Sequence, residues 1–311
     1  QLLNELGAVD DAQQLTPLGA ELARLPLDPR VGRMILAARE RGALREVLVI
    51  ASALSVQDVR DRPLEQQAQA DQAHAKFDDE KSEFSGYLRL WNWLRNARGQ
   101  QTEHRGTEAQ RKDEKTSVNL RASVPLCSVQ DSGEPPAHKL SNRQWEGLLR
   151  QNFINIRRVR EWRDIHTQLH TVVAEHQWKE NSQPAGYEAV HKSLLAGLLG
   201  NIGCKLEEGD AQSGEYLGAR GIKFHRHPGA HLSKKPGKWI VCAELVETTR
   251  LFGRGIAAIE PQWLEEVGGH LLKKQLVEPH WEKKAAEVVA LERATLYGLL
   301  VYSGRRKSYG Q

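Results

Sequence analysis

The sequence predicts an α+β chain, a helical region followed by a small β-barrel or sandwich. Three observations carry this. Capping residues followed by proline open two apolar-periodic runs, "TPLGAELARL" and "DPRVGRMILAARERG". After residue 200 the texture changes to short β-rich runs split by glycine and proline turns. The charged fraction of 27% against 6% aromatics, over 311 residues, suits a soluble chain of two or three domains.

The elements follow in order. "LGAVDDAQQLT" reads as two short apolar segments around Asp10-Asp11, a small β-wing. Thr16 caps the next helix and Pro17 starts it. Asp28 caps a second, Pro29 starts it and Gly42 ends it. "ALREVLVIASALSV" has no polar face and should be a buried helix. "FSGYLRLWNWL" sets Phe84, Tyr87, Leu88, Trp91 and Leu94 on one helical face. Residues 96–139 break every apolar period and read as a mobile insertion. Ser141 caps the helix that follows. "RRVREWRDIHTQLHTVV" then places Val159, Trp162, Ile165, Leu169 and Val172 on a stripe. Arg157, Arg158, Arg160 and Arg163 crowd its start, either as a solvated face or as a grip on phosphates. Beyond the helix "YEAVHKSLLAGLLG" come five or so short strands, and "PQWLEEVGGHLL" is a short helix opened by Pro261.

The motifs for catalysis are thin. Gly253-Arg-Gly255-Ile-Ala-Ala258 fits a loose dinucleotide pattern, but it lies inside a strand-like run ending at Pro261, with no long helix to face a pyrophosphate. Glycine there marks a bulge or a tight barrel corner. The sequence holds no phosphate loop and no acidic ATPase box. His225, His227 and His231, with Cys242 downstream, lack a second ligand pair at a zinc spacing. No catalytic residue, cofactor or metal is therefore assigned to the chain. Three scattered cysteines suit a reducing compartment. No apolar run is long enough to span a bilayer. The opening "QLLNELG" and the single methionine, Met34, suggest a piece of a longer protein.

Charge is more informative. Net charge is +4. Between Glu215 and Gly255 stand Arg220, Lys223, Arg226, Lys234, Lys235, Lys238, Arg250 and Arg254 against Glu215, Glu244 and Glu247, so eight minus three gives +5. Tyr216, Phe224, Trp239 and Phe252 interleave with them, either as barrel core or as stacking surfaces. Cations beside aromatics on a small barrel suit a single-strand binder.

"LTPLGAELARLPLDPRVGRMIL" followed by "EVLVIASALSVQDVRDRP" resembles the winged-helix and ratchet-like junction of DEAH-box RNA helicases. "NFINIRRVREWRDIHTQL" resembles their later ratchet helices, and "KWIVCAELVETTRLFGRGIAAIEPQWL" their OB-fold. "SLLAGLLGNIG", "LSKKPGKW" and "EPHWEKK" point to the bacterial HrpA-type branch. The resemblance covers nearly the whole chain except the long 96–139 segment. It implies the end of a winged-helix domain at 1–27, a ratchet-like domain at 28–180, an OB-fold at 187–280 and the start of a C-terminal extension at 281–311. It further implies the RNA-holding half of a cytoplasmic, ATP-dependent helicase that works without oligomerising. ATP and Mg would bind RecA-like motor domains of the same polypeptide, and the partner would be single-stranded RNA. Arg254 matches the family's recurrent arginine before "I-[DE]-P-x-W-L", and His227-Pro228 its His-Pro turn. Residues expected at the RNA are Arg220, Lys223, Arg226, His227, Lys234, Lys235, Lys238, Arg250 and Arg254, with Arg157 and Arg160 on the helix. The other reading is a protein-docking module that recruits or regulates a helicase without binding RNA.

Overall fold

The computed structural model describes residues 1–98, 140–206, 214–230, 232, 237–283 and 286–309. The expected insertion at 96–139 falls almost wholly outside them.

A short helix, α1 (Leu2–Glu5), leads into a single bridge, Val9 to Leu15, all that forms of the expected wing. In α2 (Pro17–Leu22), Oγ1 of Thr16 accepts from the Gly19 N–H at 2.9 Å. In α3 (Pro29–Arg41), Asp28 accepts from Arg30 and Val31, and Gly42 closes the helix at φ 62°. Only glycine takes that left-handed conformation at no steric cost. Next comes α4 (Leu44–Leu54), buried along nearly its whole length, as its missing polar face requires. After α5 (Gln67–His74), α6 (Glu83–Ala97) buries Phe84, Leu90 and Leu94. The helix α7 (Asn142–Gln151) opens with a full capping box between Ser141 and Gln144. In α8 (Ile156–Glu175), fully buried Trp162 donates from Nε1 to the Val49 carbonyl (3.1 Å) and lies 3.0 Å from Ser52 Oγ, pinning α8 to α4. The last of the series, α9 (Tyr187–Leu198), packs on α3.

Five strands then close a barrel: β1 (Ile202–Lys205), β2 (Glu215–Gly218), β3 (Lys223–Arg226), β4 (Trp239–Glu247) and β5 (Leu251–Ile259), in the order β1-β2-β3-β5-β4. Its interior holds Tyr216, Phe224, Ile240, Cys242 and Ile256. The β4–β5 register continues unbroken past both glycines of the G-x-G run, so no bulge forms. Gly255 turns the strand at φ +60°, and a Cβ at Gly253 would lie 2.5 Å from Cys242 Sγ. The two glycines thus serve barrel curvature and packing.

After α10 (Pro261–Val267), three antiparallel strands, β6 (Lys273–Glu282), β7 (Glu287–Leu296) and β8 (Leu299–Ser308), form a separate sheet. The expected OB-fold limit at 280 falls inside β6, in a stretch where no strand is expected from the sequence.

Helices, barrel and C-terminal sheet share one apolar core. It runs from Ile35, Leu48 and Leu195 through Val241 and Ala257 to Leu296 and Val301. Residues 81–83 fasten β5 to α6. The Ala258 N–H donates to the Lys81 carbonyl (2.8 Å), and the Ile256 N–H donates to Glu83 Oε2 (2.7 Å). Among the described residues no helix is long and apolar enough to cross a membrane.

Candidate nucleic-acid interface

Strand alternation decides where the β3 cations go. Phe224 points into the barrel, so Arg226, two residues on, points to the same side. Arg226 is half-buried and its Nε is enclosed without a hydrogen-bond partner. Arg226 is therefore less open than Lys223. Lys223 and His225 face outward beside Glu215, with Lys223 Nζ 3.8 Å and His225 Nε2 4.0 Å from its carboxylate.

His227 follows β3, and the parallel pairing of Arg226 with Gly253 sets it beside Arg254. Nη2 of Arg254 lies 3.3 Å from His227 Nε2, while the Gly229 N–H donates to His227 Nδ1 at 3.1 Å. A neutral imidazole has one acceptor nitrogen. Here both ring nitrogens face donors, so one N–H of the cluster meets another. Burial, then the Arg254 charge, then that of Arg62 lower the His227 pKa, favouring the neutral ring. An anion oxygen seated between His227 and Arg254 would resolve the donor–donor contact. Glu244, across the strand pair, reaches Arg254 only at 4.0 Å, and both side chains are at least half exposed.

Arg62 was not anticipated. It sits in the loop after α4 and is held by Asp71 through two 2.7 Å bonds. "DVRDRP" is nearly neutral as a string, so no charge count singles Arg62 out. Folding separates its charges. Asp58 is taken by Arg60 (2.7 Å) and Asp61 by Arg158 (2.8 Å).

Other expected residues are placed differently. Arg220 adopts φ 62°, pairs with the Glu5 carboxylate and stacks on Tyr297 at 4.7 Å. It joins the N-terminal helix, the barrel and the C-terminal sheet, a structural tie where an RNA contact was expected. Arg250 is exposed at the β4–β5 turn. Lys238 is exposed at the start of β4, its carbonyl accepting from the Lys205 N–H. Lys234, Lys235 and His231 lie outside the described residues. The α8 arginines do not form one patch. Arg157 pairs with Glu161 (3.7 Å), Arg158 with Asp61, and Arg160 with Glu146 (3.5 Å), while Arg163 turns toward the end of α6. Of the four aromatics, Tyr216, Phe224 and Trp239 are buried core. Phe252 is half-buried, with His227 edge-on to it at 5.9 Å. Cys242 is sealed in the barrel, and burial pushes its thiol pKa well up. Among the described residues no group of three or more His, Cys, Asp or Glu is placed to hold a metal.

Three family models match in sequence order. They are the winged-helix part of the helicase associated domain (HA2) at residues 1–27, its ratchet-like part at 28–117, and an oligonucleotide/oligosaccharide-binding (OB) fold at 190–271. The whole chain is 41% identical over 316 aligned residues to part of the ATP-dependent RNA helicase HrpA of Escherichia coli.

The chain carries the winged-helix and ratchet-like parts of the helicase associated domain followed by an OB-fold.

It is 38% identical over its full length to the HrpA homolog of Haemophilus influenzae. Over 88% of its length it is 24% identical to the pre-mRNA-splicing factor ATP-dependent RNA helicase prp22 of Schizosaccharomyces pombe. It spans about a fifth of the length of these relatives, 21%, 21% and 19% respectively. In this HA2–OB chain the closed barrel agrees with the OB match, and the match ends at 271, just before β6 begins.

Proposed function

We propose that the chain is the RNA-holding part of a cytoplasmic ATP-dependent RNA helicase. RecA-like motor domains of the same polypeptide would bind ATP and Mg. The single-stranded RNA backbone passes over the outer face of β3 and β5, between the barrel and the Arg62 loop. The observation that carries this reading is the meeting of His227 and Arg254, two donors that an acceptor oxygen would bridge, with the Asp71-paired Arg62 near enough to act on His227 through its charge. Lys223 and Arg250 extend the positive face along the same barrel wall. The family membership and the names of the relatives support the substrate class.

A salt titration of binding to oligouridylate tests it. Each phosphate contact contributes about 0.7 to the log–log slope for single strands. The Arg62→Gln/Arg254→Gln variant should flatten that slope by about 1.4 while staying folded. An unchanged slope and affinity in the folded variant would move the RNA elsewhere. Negligible RNA affinity of the unaltered chain at low salt would favour the protein-docking reading instead.

A further inference from the structure

We propose a second phosphate-binding site on the helical region, in an open concavity between the end of α6, the start of α7 and the first turns of α8. The cavity measures about 150 Å³ and is lined by Arg98, Arg160, Arg163, Glu146, Asn142 and Trp145. Three guanidiniums against one carboxylate leave a net charge of +2 in the lining, three minus one. Glu146 is committed to Arg160 at 3.5 Å. Among the described residues no carboxylate lies within ion-pair distance of Arg98 or Arg163. Arg95, one turn before Arg98 on α6, adds a further positive charge.

Clustered guanidiniums repel one another. Burial, then the Arg98 charge, lower the Arg163 pKa, with Asp164 opposing and Arg95 adding to the depression. Neighbouring arginines normally dissipate such repulsion on carboxylates. Here two are left facing a shared concavity floored by Ile156 and Val159. An apolar floor lowers the local dielectric and strengthens attraction for an incoming anion. Guanidinium forks match the oxygens of a phosphate, and Asn142 adds an amide donor. The chemistry therefore selects a tetrahedral oxyanion, as a free phosphate or as part of an RNA backbone. The site shares no residue with the His227–Arg254 cluster, so the two stand or fall separately.

Calorimetric titration of the chain with inorganic phosphate, pyrophosphate and a short oligouridylate tests the site. The comparison is with Arg98→Gln/Arg163→Gln, whose fold is checked by its melting curve. At least one probe should bind the unaltered chain and bind the variant about tenfold more weakly or worse, the scale expected for losing charge-assisted hydrogen bonds. Glu146→Gln removes the one lining carboxylate and should tighten the same probe, a gain that loss of folding cannot mimic. Binding of the small anions alone assigns the site to free phosphates. Binding of oligouridylate that is weakened by Arg98→Gln/Arg163→Gln assigns it to the RNA backbone. Failure of all three probes to bind, or equal binding by the folded double variant, overturns the proposal.

Discussion

Arg220 separates a structural charge from an RNA-binding one. Its guanidinium meets Glu5, the two side chains being 39% and 12% exposed, and it lies over the Tyr297 ring at 4.7 Å. Arg220→Ala would leave the Glu5 carboxylate enclosed without its cation. Breaking a fully buried pair costs about 3–5 kcal/mol, and exposed pairs are worth about 0–1. A pair with one member enclosed and the other part-exposed falls between, at about 1–2 kcal/mol. The ring contact adds about 0.5–1 kcal/mol. The expected loss of about 2 kcal/mol corresponds to a melting shift of roughly 4–8 °C for a domain of about 150–250 residues. Calorimetry or thermal circular dichroism of Arg220→Ala, Glu5→Gln and the double variant gives the coupling by a mutant cycle. RNA affinity and its salt slope should not move beyond the fraction unfolded. Weakened RNA binding with an unchanged melting temperature would refute the assignment and return Arg220 to the RNA face.

Three further outcomes are expected. Gly253→Ala places a methyl 2.5 Å from Cys242 Sγ and 3.1 Å from Phe224, which should cost about 1–3 kcal/mol; adding Cys242→Ala should recover part of that, and strictly additive losses in denaturant melts would show that the barrel does not pack this way. His166 and His191 have pKa values lowered to about 4, chiefly by burial, against an ordinary 6.5. The unfolded chain therefore takes up protons first, and stability should decline as pH falls from 6.5 toward 4; His191→Phe should flatten the decline, and an unaltered pH profile would exclude His191 as a source. The purified chain should release no phosphate from ATP with or without RNA, since its sequence lacks a phosphate loop, and RNA-stimulated release would overturn this.

Helix limits were legible because caps are local. Thr16-Pro17, Asp28-Pro29 with Gly42, and Ser141 with Gln144 each mark an end through residues within a few positions of one another. The barrel was legible as β texture but not as a closed order, because the parallel β3–β5 pairing joins distant segments. Roles of single charges were least legible. Arg220 finds Glu5 across 215 residues, and nothing near either announces the pair. The side on which Arg226 lies can be read from alternation only once Phe224 is known to face inward. Arg62 was hidden by neighbouring aspartates that folding assigns to other arginines.

The shared core has a mechanical consequence. β5 is stitched to residues 81–83 and its inner neighbours pack on α3, α4 and α9, so barrel and helices are joined by both hydrogen bonds and apolar packing. If the proposed site holds RNA, a load on His227 and Arg254 would pass through β5 to residues 81–83 and α6. On the proposed reading the chain would act as an anvil, passing displacement generated elsewhere in the polypeptide on to the nucleic acid.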